Sequence, residues 1–266
     1  MPTYKGNRGN LLQHWVLVEL IGLLRKEAQP LERLCFFDAH AMSPFAVRSA
    51  NPGQTGPEFD IVAANLPGQR SAYEQAWHEL SQGRIQYPSS AVFVQHLWPR
   101  SLHLVMCEAN KLAANDIAEW QRTLPTKTVV ELHRGDWRSR LNQGLPSDTS
   151  VYLISFDPYM FDRHGPPAVL GNMYPIDIEH VGVSVLALEE GAPIVLQLST
   201  YSTKHANKQK DVVSTIEPLL KTAGLQLAAN VRADGHMMSM VFTRNIPTVA
   251  DAGLEQRFAA WIEQAI

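Results

Sequence analysis

Apolar residues recur at helical spacing over residues 10–27, at Leu11, Leu12, Trp15, Val16, Leu20, Leu23 and Leu24. That spacing predicts a helix with a wide buried face, ended by Pro30. A short apolar run then closes on an acid, Leu34-Cys-Phe-Phe-Asp38, and reads as a central parallel strand buried on both faces. Residues 48–70 are rich in Pro, Gly, Asn and Gln and predict a long surface excursion. Helices are expected over Arg70–Gln82 and Ala91–Trp98, and strand and helix then alternate regularly. Strands are expected at Leu102–Glu108, Thr128–His133, Ser150–Asp157 and Ala192–Leu198. The helices between them are expected at Ala113–Thr123, a short stretch through Leu141, and residues 176–189. Lys208–Thr222 is an amphipathic helix closed by Gly224. Leu225–Val231 and Met237–Thr243 flank a turn signal and read as a hairpin, and Leu254–Ile266 is a final helix.

Alternating strands and helices imply an α/β fold. The expected sheet is mostly parallel and Rossmann-like, with helices on both faces and one antiparallel strand from the C-terminal hairpin. The chain reads as a single domain over residues 1–266, with a helical insertion within 46–100. It shows no internal repeat and no low-complexity tract.

Four strand ends carry acids: Asp38, Glu108, Asp136 just past its strand, and Asp157. Ligands of open parallel sheets bind in the crevice outside the carboxyl ends of the strands. A carboxylate there can hold an amino group, accept both hydrogens of a ribose diol, or accept from an exocyclic amine. Acids also serve as helix N-caps; four of them at successive strand ends favour a nucleoside-type ligand. A dinucleotide is disfavoured, because the loop after the first strand, Asp38-Ala-His-Ala-Met-Ser-Pro44, has none of the glycines that let a backbone approach a pyrophosphate.

Composition narrows this only slightly. Apolar residues make up 45% and charged residues 18%, the balance of a globular chain with a large core. The formal net charge of −3 excludes a protein whose whole surface is an electrostatic glue for nucleic acid. The local clusters Arg134/Arg138/Arg140 and Lys204/His205/Lys208/Lys210 read as solvated helix faces. Without an apolar run of membrane length or a signal-like N-terminus, the expectation is a cytoplasmic protein with no membrane partner. Cys35 and Cys107 lie in apolar runs without ligand spacing and read as core filler, with no metal site expected. Trp15 and Trp77 read as packing.

At these positions the chain resembles the bacterial large-subunit (23S) rRNA adenine-N6-methyltransferases. Gly6-Asn-Arg-Gly-Asn10-Leu-Leu-Gln-His14 is similar to that family's Gly-Asn-x-x-Asp-x-x-Lys-His opening. Asp38-Ala-His40-Ala is similar to its Asp-Thr-His-Ala cofactor loop, and Tyr87-Pro-Ser-Ser90 to its Tyr-Pro-Gly-Ser. Glu108, Gly135-Asp136 and Asp157-Pro-Tyr follow in the same order. The resemblance implies a Rossmann-like methyltransferase fold and S-adenosylmethionine as cofactor, without metal. In it His14, Asp38 and His40 would serve the methionine end, Glu108 the ribose, and Gly135 and Asp136 the adenine. Asp157, the Pro158 carbonyl and Tyr159 would form the acceptor site for a nucleobase amine in RNA or DNA. The residues themselves leave His14 open to packing and Tyr159 open to a core role. The sequence departs from the family at Gln13, at Met42-Ser-Pro44 in place of glycines, and at Asp157-Pro-Tyr-Met in place of Asp-Pro-Pro-Tyr. Those departures imply the alternative of a catalytically degenerate relative with a binding role. Substrate and oligomeric state are not specified by the sequence.

Overall fold

A computed structural model describes residues 3–4, 8–27, 31–48, 71–81, 86–158, 160–162, 171–201, 206–234 and 237–265. The excursion expected over residues 48–70 therefore lies almost wholly outside the described residues. So do Tyr159, Lys204 and His205, and the side chains of Lys208 and Lys210.

The main sheet has seven strands. They are β2 (Arg33–Asp38), β5 (Ser101–Cys107), β6 (Thr128–His133), β7 (Val151–Phe156), β10 (Ile194–Tyr201), β11 (Gln226–Asp234) and β12 (Met237–Arg244). Their order across the sheet is β11-β12-β10-β7-β2-β5-β6. Pairings from β6 through β10 are all parallel, and β12 runs antiparallel to both of its neighbours. This is the expected Rossmann-like α/β plan, with the second strand of the C-terminal hairpin inserted between β10 and β11. The order reverses at β2, the topological switch point at which ligands of such sheets bind.

Period-two alternation along each strand feeds two cores. On β2, Leu34 and Phe36 join one cluster, while Cys35 and Phe37 join the other. The first face is covered by α1 (Arg8–Leu24), α2 (Ala72–Leu80), α3 (Ser90–Leu97), α8 (Pro247–Ala250) and α9 (Leu254–Ala265). The second is covered by α5 (Trp137–Leu141), α6 (Pro175–Leu186) and α7 (Ala206–Lys221). Helix α1 is buried without a break from Asn10 to Ile21, its polar Asn10, Gln13, His14 and Glu19 included. It ends at Leu24, ahead of Pro30, in a short turn held by backbone bonds from Arg25 and Lys26. Helix α4 (Lys111–Gln121) lies against β6.

Two small pairings had no counterpart in the sequence pattern. Strands β1 (Thr3–Tyr4), β3 (Phe45–Arg48) and β4 (Gln86–Pro88) make a three-stranded sheet, and β8 (Met160–Phe161) pairs with β9 (Asn172–Met173). Both cysteines are free and buried on the neighbouring strands β2 and β5, as expected of core filler. No helix among the described residues is long and apolar enough to cross a membrane.

Candidate functional site

Three strand ends surround a cavity of about 270 Å³. The turn after β2 gives Ala39 to Met42, the end of β5 gives Cys107, Glu108 and Ala109, and the turn after β6 gives Gly135, Asp136 and Trp137. Gly171 closes it from the segment before β9. The backbone holds these turns in place. Ala39 N–H donates to the Ser155 carbonyl at 3.0 Å, Ala41 N–H to the Cys107 carbonyl at 3.0 Å, and Glu108 N–H to the His133 carbonyl at 3.0 Å.

The four acids fall into two pairs. Glu108 and Asp136 line the cavity; Asp38 and Asp157 are not among its described lining residues. Glu108 accepts from the Asn110 amide at 2.6 Å, and burial raises its pKa. Asp136 is the N-cap of α5, accepting from the Arg138 amide at 3.1 Å, and also from the Arg138 guanidinium at 3.1 Å. Asp38 is 4% exposed, and its carboxyl accepts from the His40 amide at 3.3 Å. Desolvation pushes Asp38 up to about 7, and the charge of Glu108 adds to this. Asp157 is also pushed up to about 7, first by desolvation and then by the charge of Asp38. Pro158 is buried beside it.

His40 joins the two pairs. The Asp157 backbone N–H donates to His40 Nδ1 at 3.2 Å, which places the proton of the neutral ring on Nε2. Burial, with the Arg138 charge adding, holds His40 at about 4, so the ring is neutral at pH 7. Its Nε2 is buried and has no hydrogen-bond partner among the described residues; the same holds for Trp137 Nε1, whose ring centroid lies 6.3 Å from that of His40. Both atoms belong to residues that line the cavity, yet neither is exposed in it.

His14 is elsewhere. Its Nδ1 meets the Tyr87 hydroxyl at 2.8 Å and its Nε2 the Ser90 hydroxyl at 3.1 Å, and its ring packs on Phe93 at 5.2 Å. Burial lowers its pKa to about 3. The opening motif and the Tyr87-Pro-Ser-Ser90 motif thus meet each other at the α1–α3 contact, while His14 is not among the cavity's described lining residues. Tyr159 lies outside the described residues.

The arginine cluster requires a correction. Arg140 is buried, with its guanidinium on both carboxylate oxygens of Glu131 at 2.7 and 2.9 Å. Arg138 grips Asp177 at 2.7 and 2.8 Å and the Asn172 carbonyl at 2.8 Å, and lies over the Trp137 ring at 4.8 Å. Neither forms a solvated face, because each pairs with an acid on another element, Arg140 with Glu131 on β6 and Arg138 with Asp177 on α6; Arg134 alone of the three remains exposed. Sequence reasoning missed Trp137, although an aromatic directly after a strand-end acid was a readable signal. No group of three or more His, Cys, Asp or Glu side chains among the described residues could hold a metal ion.

No protein-family model matches this sequence, and no curated protein does. Among solved structures, the chain is similar to a protein of Legionella pneumophila str. Philadelphia 1 described under the family model DUF519. The TM-score is 0.60 at 15% identity, over 92% of this chain and 87% of that one. That likeness shows a shared fold. The mitomycin 7-O-methyltransferase MmcR aligns at a TM-score of 0.41 and 10% identity, over 86% of this chain and 53% of its own. LepI in complex with SAM aligns at 0.36 and 13%, over 85% and 46%.

Proposed function

We propose that the chain is an S-adenosylmethionine-dependent methyltransferase acting by direct transfer on an exocyclic amine of a nucleobase in RNA or DNA. The observation that carries this reading is the acceptor set at the switch point: Glu108 and Asp136 in the cavity wall, and Asp157 at the neighbouring strand end. The set suits the nucleoside part of such a cofactor. When bound, the cofactor supplies an electrophilic methyl group on a sulfonium sulfur. Glu108 would accept the ribose hydroxyl hydrogens. Asp136 would accept from the adenine amine with the lone pairs Arg138 leaves it.

Asp157 would accept one hydrogen of the substrate amine, and the Pro158 carbonyl the other. Both contacts keep the nitrogen lone pair out of conjugation and aimed at the methyl carbon. Sequence alone assigns the stacking role to Tyr159. His40 would hold the Asp157 backbone in place through Nδ1.

A thermal-shift titration with S-adenosylhomocysteine, followed by methyl transfer from S-adenosylmethionine to unmodified RNA and DNA, tests the reading. The expected result is a saturable shift and nucleobase methylation. Asp157→Ala is expected to keep the shift and lose at least about 100-fold in rate. Met42 in the cavity wall and Arg138 on Asp136 favour the second reading, a fold kept for binding; it requires no shift up to millimolar ligand.

A further inference from the structure

We infer that Met42 limits the length of the ligand, so that the cavity takes a nucleoside thioether without an amino-acid tail more readily than the complete cofactor. The inference rests on the reading of the cavity given above. The loop is fastened on both sides of residue 42. Ala41 N–H donates to the Cys107 carbonyl at 3.0 Å, Ser43 Oγ to Asp116 Oδ2 at 2.7 Å on α4, and the Ser89 N–H before α3 to the Pro44 carbonyl at 2.9 Å. Ala41 and Ser43 are each 3% exposed, while Met42 is 40% exposed and lines the cavity. With the backbone fixed, the thioether side chain takes up room that a glycine would leave open.

A further fact agrees. The described lining residues include acids but no Lys or Arg to pair with a tail carboxylate, and the one histidine is neutral at pH 7. A tail-less ligand meets only groups it can use: Glu108 for its diol and Asp136 for its amine. The full cofactor must first rotate Met42 outward, which an unbranched side chain permits at some loss of affinity.

Isothermal titration of the full chain with 5′-methylthioadenosine and with S-adenosylhomocysteine tests this, with thermal unfolding as a control for folding. The unsubstituted chain is expected to bind 5′-methylthioadenosine at least tenfold more tightly. Met42→Ala should tighten S-adenosylhomocysteine at least tenfold and move 5′-methylthioadenosine less than twofold; Met42→Phe should weaken S-adenosylhomocysteine alone. Equal effects on both ligands, or none, would overturn the role of Met42 and leave the cofactor reading standing. So would binding of S-adenosylhomocysteine without 5′-methylthioadenosine. If neither ligand binds any variant at millimolar concentration, the cavity is not a nucleoside site and both readings fall.

Discussion

Two carboxyls and two imidazoles carry pKa values shifted by desolvation, and their titrations pull in opposite directions. Asp38 and Asp157, pushed up to about 7 from 3.8, hold protons in the folded chain where the unfolded chain has released them. Their contribution to stability therefore falls as pH rises from about 4 to about 7. His14 and His40, held at about 3 and about 4 against 6.5, stay neutral in the folded chain where the unfolded chain takes up protons. Their contribution falls as pH drops from about 6.5. The two gradients oppose each other between about pH 4 and pH 6.5. Asp157→Asn is expected to gain on the unsubstituted chain between pH 5 and pH 8 in urea unfolding; an equal difference at the two pH values would refute the buried-carboxyl account. In the proposed reaction, the same ionisation makes methyl transfer rise with pH through about 7, measurable as initial rate between pH 6 and 8. The strand-end acids were legible because each closes an apolar run. Their division into two pairs was not, because Asp38 is covered by the backbone of its own turn and His40 reaches a neighbour 117 positions away.

At the level of elements, Arg138 on α5 is the main clasp. Its guanidinium joins the N-cap Asp136, the α6 residue Asp177 and the Asn172 carbonyl of β9. The Asp177 side chain is 5% exposed and also accepts from the Tyr174 amide at 2.8 Å. Removing the cation strands a buried charge, so Arg138→Met is expected to cost about 3–5 kcal/mol in denaturant unfolding. Combining it with Asp177→Asn should recover part of that loss. A loss below 1 kcal/mol for the single variant would mean that solvent already screens the pair. Long elements were readable from sequence because burial on one or two faces writes its period into ten or more residues. The two-residue strands β8 and β9, and the β1-β3-β4 sheet, carry no such period; only their distant partners define them. The arginines were misread for a related reason. Nothing local distinguishes a guanidinium that will meet Glu131 or Asp177 from one that stays in water.

Across the whole molecule, the net charge of −3 sets how a nucleic-acid substrate would be held. With few cations to spare, association should release few counterions. The slope of log affinity against log salt for an RNA or DNA oligonucleotide is then expected to be no steeper than about −3. A slope near −6 would point to a basic surface beyond the described residues. The hairpin has another kind of consequence. Because β12 lies between β10 and β11, a growing chain cannot complete its sheet until Arg244 has been made, although β11 emerges earlier. Helix α1 packs on α2 and α3, which follow it early in the chain, but also on β10, β11, β12, α8 and α9, so part of its apolar surface stays uncovered until those last elements are made. Contacts of such long sequence separation make folding slow. A ribosome-bound chain stalled before β12 should therefore be cut readily by protease within α1, and it is the stage at which a chaperone would have most to hold.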